Sequence, residues 1–276
     1  MATTDIYHIT GGLKGRRAVA FLGGDVNDGV QIDEFVTDRV AANDTAGTIT
    51  AWINVPDKTG TYAIIGFGDA NAVEYIYLTY IAGQIQAKCA RVGPDVAWDL
   101  ISTNATIKPH NWHHVALVQD AVVPKIYLDG VELTLTLTDV SEATYWFDTC
   151  SLLDGGHIGT ADSIAGDAAL TFEFKGAISN VKYWNVALTA AQIKDDFNEV
   201  PNTTSLISHW DFNDDYLDRV TANNNDGTAV GDITLTNNYS EFTSRLRYMT
   251  GVPLVADSLV CFASDGTGHA IVIQAA

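Results

Sequence analysis

Apolar and polar residues alternate most clearly between positions 112 and 138 of this chain. Residues 112–118 alternate between the two sides of an extended strand, and residues 125–128 begin a second strand after a polar break. Asp129 and Gly130 then supply the left-handed turn of a tight hairpin. Beyond the turn, apolar residues recur with period two, which predicts a strand with one buried and one solvated face. These apolar positions are Val131, Leu133, Leu135 and Leu137. A hairpin core of this kind needs a second sheet to cover it, so the pattern predicts a β-sandwich.

Short strands are predicted at even spacing on both sides of this hairpin, as is typical of a sandwich or barrel. They fall in 18–21, 29–32, 48–55, 62–68, 75–81, 84–91, 172–184 and 206–233. A single short helix is predicted after Thr189, because Thr189 and Gln192 match a capping box and Pro201 follows the helix end. Residues 254–274 are predicted to form a hairpin. It should pair with the domain or with another chain, because an isolated hairpin is marginally stable.

Four motifs in sequence order resemble a laminin G-like module with the concanavalin A-like jelly-roll fold. They are residues 18–21 with 29–32, residues 48–53, residues 112–116 with 127–130, and residues 175–178 with 188–193. The resemblance covers roughly residues 18–200. It implies an all-β, two-sheet antiparallel jelly-roll sandwich, here with one short helix and a C-terminal hairpin.

Residues 209–212 and 225–228 resemble a strand pair that often opens such a module, yet here they follow it. They either close the same sandwich or begin a truncated second copy. We favour closure, because few residues remain for another domain. The predicted organisation is therefore a laminin G-like domain over 1–247, with an N-terminal arm and closing strands, and a C-terminal assembly hairpin over 248–276.

Composition narrows the classes of partner. The net charge of −19 repels phosphate backbones, so a nucleic-acid partner is not expected. The first residues contain no apolar stretch typical of a secretory signal, and no segment is long and apolar enough to insert into a membrane. The three cysteines are Cys89, Cys150 and Cys261. They are interpreted as buried free thiols, which suit a reducing cytosol, with a disulfide between two of them as the alternative.

Catalytic and metal chemistry finds little support in the residue pattern. Some relatives of the resembled fold hydrolyse polysaccharides with a Glu-x-Asp-x-(x)-Glu set on one strand, and this chain contains no such set among its seven glutamates. We therefore predict that it is not an enzyme. His113 and His114 are adjacent in a strand and point to opposite faces, so they cannot chelate one ion. His114 is expected to be hydrogen-bonded inside the sandwich.

Calcium and carbohydrate are the ligands that the resemblance suggests. Calcium prefers loop carboxylates and carbonyls, although acidic turn residues are commonly only turn residues. The candidate loops are Asp25/Asn27/Asp28, Asp154/Asp162/Asp167 and Asp211/Asn213/Asp214/Asp215. A sugar site needs aromatic rings beside polar groups. Its predicted residues are Trp98, Tyr145, Trp146, Asp154 and His157. Contact with a neighbouring subunit or loop is the alternative role of Trp98 and Trp146.

Two functions remain as hypotheses, and both rest largely on analogy. The first is a phage virion component, such as a capsid decoration, fibre or tail-associated protein. It would assemble in the host cytoplasm with other virion proteins or with copies of itself. The missing export signal, the odd cysteine, the N-terminal arm and the uncharged C-terminal hairpin favour it. The alternative is an extracellular or cell-surface lectin-like module, optionally calcium-dependent, that binds glycans. A virion protein could also bind host-surface glycans.

Overall fold

The computed structural model describes residues 16–21, 28–69, 71, 74–91, 95–104, 106–161, 172–223, 225–239, 260–264 and 270–274. Residues 1–15 of the predicted N-terminal arm (1–17), residues 22–27 and residues 265–269 lie outside the described residues, and residues 16 and 17 belong to the first strand. Neither helix among the described residues is long and apolar enough to cross a membrane.

The described chain is built from eighteen strands and two helices. In chain order the elements are β1 (Arg16–Phe21), β2 (Gly29–Gln31), α1 (Asp33–Ala42), β3 (Ala46–Asn54), β4 (Thr61–Gly68), β5 (Tyr75–Ile81), β6 (Gln84–Ala90), β7 (Val96–Ser102), β8 (Trp112–Asp120), β9 (Lys125–Leu128), β10 (Val131–Glu132), β11 (Leu135–Asp139), β12 (Gly155–Ile158), β13 (Gly176–Trp184), α2 (Ala190–Phe197), β14 (Leu206–Trp210), β15 (Thr228–Val230), β16 (Thr234–Tyr239), β17 (Val260–Ser264) and β18 (Ala270–Gln274).

Two antiparallel sheets of eight strands form the sandwich. Sheet A has the order β10-β9-β8-β3-β13-β1-β16, with β14 beside β13, and sheet B has the order β11-β7-β6-β5-β4-β12-β2-β15. The predicted two-sheet antiparallel jelly roll is therefore confirmed. Strands β17 and β18 pair with each other in a separate two-stranded sheet. What this hairpin pairs with, and the division of the chain at 247, stay predictions.

Period-two alternation in the strands fills the core between the sheets. In β3, Ile49, Ala51 and Ile53 are fully buried in this core, while Thr50 and Trp52 point to the outer face of sheet A. Full burial of an isoleucine side chain contributes about 1.5–3 kcal/mol, so the repeated pattern holds the two layers together.

Helix α2 confirms the sequence prediction and forms a third layer on the outer face of sheet A. Its capping box is present, because Gln192 N–H donates to Thr189 Oγ1 and Thr189 N–H donates to Gln192 Oε1. Ile193 packs in a separate apolar cluster with side chains of β8, β9 and β13. The helix therefore covers a sheet face that would otherwise be solvated.

Helix α1 was not predicted from the sequence, and the expectation of one helix is wrong for the described residues. Its Ile32 cap makes no side-chain hydrogen bond, and its apolar residues do not form a marked stripe along one face of the helix. Tertiary packing stabilises it instead. Phe35 is buried with ring contacts to Phe67, Phe147 and Trp210.

The predicted long strand after Asp129-Gly130 is wrong in two respects. It is divided into β10, which pairs with β9 in sheet A, and β11, which pairs with β7 in sheet B. Its apolar side chains form a buried face only in part, since Leu133 and Leu135 pack against the core while Val131 is 61% and Leu137 48% exposed. Period two reports an extended backbone, and here that backbone crosses from the edge of sheet A to the edge of sheet B, so only part of its apolar face lies against the core.

The segment after α2 enters both sheets. Strand β14 pairs with β13 in sheet A, and β15 pairs with β2 in sheet B. The Trp210 indole is buried in the core and donates to the backbone carbonyl of Asn225 at 2.8 Å. These strands therefore contribute to the same two sheets as the preceding residues.

Candidate functional site

An open cleft of about 440 Å³ lies at one rim of the sandwich, where β6 ends, β7 begins and β11 ends. We call it the rim cleft. Its lining residues are Arg91, Asp95, Val96, Ala97, Asp139, Ser141, Glu142 and Tyr145. The Arg91 guanidinium donates to the Tyr145 hydroxyl at 2.6 Å and lies 5.7 Å from the centre of the Tyr145 ring. The cleft thus combines an aromatic ring, a cation, a hydroxyl group and carboxylate acceptors, which together suit a ligand with many hydroxyl groups.

The turn after β11 is fastened to β7 by hydrogen bonds. Ser141 Oγ donates to the carbonyl of Val96 at 3.1 Å, and Glu142 N–H donates to the carbonyl of Ala97 at 3.0 Å. Ser141 N–H also donates to Asp139 Oδ1 at 2.9 Å, and this bond lowers the pKa of the Asp139 carboxyl. The Asp139 carboxylate is therefore held in place and ionised at neutral pH.

The loop that carries Tyr145 is anchored from inside the core. Trp98 Nε1 donates to the Tyr145 carbonyl at 3.0 Å, and Gln119 Nε2 donates to the same carbonyl at 3.1 Å. Trp146 stacks on Trp98 with ring centres 6.4 Å apart, and its Nε1 donates to the Tyr183 hydroxyl at 3.2 Å. Buried indoles thus fix the backbone at Tyr145 while its side chain reaches the cleft.

The prediction that Trp98 and Trp146 form a sugar platform is wrong. Both side chains are 0% exposed. Trp98 belongs to β7 and not to a loop, and it points into the core, where its N–H finds a carbonyl acceptor. The alternative role, contact with a neighbouring loop, describes both residues, because each packs within or against the 141–154 loop. Among the predicted ligand-binding residues, Tyr145 lies in the rim cleft.

His157 and Asp154 lie away from the cleft. Strand register places His157 in a row across the outer face of sheet B, which we call the outer row. Its paired positions are Asp99, Lys88, Tyr77, Gly66, His157 and Gln31. Four strand steps separate His157 from Asp99, or roughly 20 Å. Asp154 is exposed just before β12, and its N–H donates to the carbonyl of Gly68.

The outer row is polar but largely covered. Lys88 Nζ lies 3.7 Å from Asp99 Oδ2, and Asp99 pairs across the sheet with Asp139 of the cleft. Tyr77 and His157 are only 7% and 6% exposed. The Phe172 ring contacts Tyr77 edge-on at 6.1 Å. The rim cleft is therefore the accessible end of this polar surface.

His113 and His114 contact different partners, as expected for adjacent strand residues that point to opposite faces of the sheet. His113 Nδ1 lies 2.8 Å from Asp129 Oδ2, and His114 Nε2 lies 3.0 Å from Asp196 Oδ2. The prediction that His114 lies inside the sandwich is wrong, because its partner is on α2 and the contact lies on the outer face of sheet A. The helix supplies a third layer that the sequence pattern did not reveal.

The calcium loops are only partly described. In the third loop, Asp211 and Asp215 pair with Arg219 at 2.8 Å, and Asp214 pairs with Arg17 at 2.8 Å. Within the described ranges no group of three His, Cys, Asp or Glu residues is arranged to hold a metal ion. Residues 25, 27, 162 and 167 of the other two loops lie outside these ranges, so calcium binding stays a prediction.

A second cleft, of about 260 Å³, lies on the outer face of sheet A beside the end of α2. His209 lines it and pairs through Nε2 with Asn180 Oδ1 at 3.0 Å. Burial, reinforced by the charge of Lys182, lowers the pKa of His209 to about 4. The imidazole is therefore neutral in the folded protein at neutral pH.

Stability is expected to fall as the pH drops from about 6.5 to about 4, because the unfolded chain binds a proton at His209 that the folded chain does not. The His209→Gln variant keeps a donor for Asn180 but does not titrate. Its free energy of unfolding should therefore fall less between pH 7 and pH 5 than that of the wild type, by about 1–2 kcal/mol. Urea unfolding at both pH values measures this difference. An equal loss in both proteins would contradict the assignment.

The two antiparallel sheets define a lectin-like jelly-roll fold. A laminin G family model, described as "Concanavalin A-like lectin/glucanases superfamily", matches residues 23–194. The chain belongs to this superfamily. No sequence in the curated set of proteins matches it.

Solved structures with the same fold share little sequence with this chain. One is the CBM40 of an IT-sialidase from Ruminococcus gnavus bound to α2,3-sialyllactose (TM-score 0.54, 13% identity), matched over 68% of this chain and 100% of that one. A heptameric SAP-like pentraxin from Limulus polyphemus matches with a TM-score of 0.52 and 14% identity, over 85% and 99%. A leech intramolecular trans-sialidase matches with a TM-score of 0.53 and 15% identity, over 71% and 29%. At these identities the likeness shows the fold alone.

Proposed function

We propose that this protein is a carbohydrate-binding module that holds a glycan in the rim cleft. The observation that carries the proposal is the Arg91–Tyr145 pair, which presents an aromatic ring and a guanidinium beside the carboxylates of Asp95, Asp139 and Glu142. Sugar rings stack on aromatic faces, and their hydroxyl groups bond to charged and polar side chains. The similarity to a module solved with sialyllactose supports the same class of ligand.

The proposal places the protein outside the cell or on a surface, where glycans are found, and this is the second of the two hypotheses drawn from the sequence. The comparisons favour it over the phage virion component. No finding bears on capsid, fibre or tail association, so that role stays a prediction. Light scattering on the purified protein would test assembly, and a strict monomer would count against it.

Removing the Tyr145 ring should weaken glycan binding. We expect Tyr145→Ala and Arg91→Ala each to raise Kd about tenfold, which corresponds to about 1.4 kcal/mol of lost interaction. A glycan array that includes sialyllactose identifies the ligand, and titration calorimetry with the best ligand gives Kd. Tyr145→Phe should bind with an intermediate Kd, because it keeps the ring and loses the hydroxyl contact with Arg91.

Arg17→Ala is the matched control, because Arg17 is an exposed residue of β1 in sheet A, away from the rim cleft, and pairs with Asp214. Its Kd should equal that of the wild type. The proposal fails if no glycan binds, or if Arg17→Ala and Arg91→Ala weaken binding equally. Repeating the array with calcium and with a chelator tests the calcium prediction, and product analysis of the bound oligosaccharide tests the prediction that the protein is not an enzyme.

A further inference from the structure

Two thiols face each other in the core near the rim cleft. Cys89 is in β6, two residues before Arg91, and Cys150 is in the loop that carries Tyr145. Their Sγ atoms are 3.5 Å apart, and both residues are 0% exposed. Both cysteines are free. The side chain of Cys261 lies outside the described residues.

The positions of both thiols suit a covalent bond. An S–S bond is about 2.05 Å long, so the sulfur atoms need to approach by about 1.5 Å. Cys150 is held in a turn, where its N–H donates to the carbonyl of Trp146 at 2.9 Å. Cys89 is held in the middle of sheet B between β5 and β7. The two sulfur atoms are therefore presented to each other from two fixed backbone positions.

We propose that Cys89 and Cys150 form a disulfide when the chain folds in an oxidising medium, and that this bond fastens the Tyr145 loop to the end of β6. The oxidant is a small disulfide such as oxidised glutathione. One cysteine thiolate attacks it and releases one glutathione thiolate, which leaves a mixed disulfide. The second cysteine thiolate then attacks the mixed disulfide and releases the second glutathione. The two thiol protons end on the two glutathione molecules, which gain the two electrons lost by the protein.

Because both thiols are buried in the folded protein, the disulfide has to form before or while the core closes around them. Burial raises the pKa of the Cys89 thiol, and the neighbouring Cys150 raises it further. Because the thiolate is the reactive form, exchange is slow once the core has closed. The disulfide therefore forms before or during closure of the core, and in the folded protein it is shielded from reductants.

The disulfide joins the two segments that form the cleft. Arg91 follows β6, and Tyr145 precedes Cys150 by five residues. The cross-link restricts the separation of these segments, so the Arg91–Tyr145 pair is pre-organised. This consequence rests on the proposed carbohydrate function, whereas the disulfide itself does not.

The test refolds the full-length Cys261→Ser protein from urea, once in oxidised and reduced glutathione and once with a phosphine reductant. Oxidising refolding should give a protein about 2 Da lighter, with a non-reduced peptide that links residues 89 and 150. Its Tm should exceed that of the reduced form by on the order of 5–10 °C. The Cys89→Ala and Cys150→Ala variants should show neither change.

Two free thiols that react with an alkylating agent after oxidising refolding and denaturation would overturn the disulfide. Glycan titration of both forms tests the coupling, and we expect a severalfold lower Kd for the oxidised form. Equal Kd values would overturn the coupling to the cleft. If neither form binds glycan, the carbohydrate proposal fails, while mass and Tm still decide the disulfide.

Discussion

Asp196→Ala should destabilise the protein by about 3–5 kcal/mol, because it removes one partner of a buried ion pair and leaves the others unsatisfied. Asp196 is a residue of α2 that faces sheet A and is 3% exposed. Its Oδ2 accepts from Thr50 Oγ1 at 2.8 Å and contacts His114 Nε2 at 3.0 Å, and its Oδ1 accepts from Lys182 Nζ at 2.6 Å. Urea unfolding at pH 7 measures the loss.

Asp195→Ala is the matched control, since Asp195 is the exposed neighbour on the same helix and should tolerate the change. Burial alone would raise the pKa of Asp196, but the His114 contact and the charge of Lys182 outweigh it and hold the pKa below 3.8. The stabilisation is thus present above about pH 4 and is lost as the pH falls below that value. Equal losses for the two variants would rule out this role for Asp196.

Trp98→Ala should cost about 3–5 kcal/mol of stability and should also weaken glycan binding. The indole is fully buried against Trp146, and its N–H anchors the Tyr145 carbonyl. Removing it leaves a cavity and frees the loop that forms one side of the cleft. Thermal and urea unfolding measure the first effect, and calorimetric titration with the array-selected glycan measures the second.

Trp98→Phe separates the two effects, because it keeps most of the ring volume and loses the N–H donor. It should lose less stability than Trp98→Ala while still raising Kd. Trp112→Ala serves as the control for loss of a less buried indole, and it should cost less stability and leave Kd unchanged. A Trp98→Ala protein as stable as the wild type would show that the core does not depend on this side chain.

The sandwich could be predicted from the sequence because its signals are local. Three such signals are the alternation in residues 112–118, the Asp129-Gly130 turn and the capping box at Thr189. Each of them is contained within a few consecutive residues. Helix α1 was missed because its stability comes from Phe35 packing against rings that are distant in sequence. Local patterns do not report such contacts.

The candidate site was harder to predict. Tyr145 was identified as an aromatic residue in a loop, but Arg91 and Asp95 are about fifty residues away from it in sequence. The pairing of β7 with β11 brings these segments together, and the register of strands so far apart is not visible in composition. For the same reason Trp98 was assigned to a loop, although it lies in β7, opposite Cys89 of β6.

The pairing of β1 with β16 has a consequence for how the module could be tethered. Arg16 faces Tyr239 across these two strands, so both flanking segments join the sandwich at adjacent points. Strand β16 is the edge of sheet A farthest from β10, and β10 connects through two residues to β11 at the rim cleft. A tether placed at either of these two strand ends would therefore attach at the β16 edge of sheet A, at the other end of the strand order from β10.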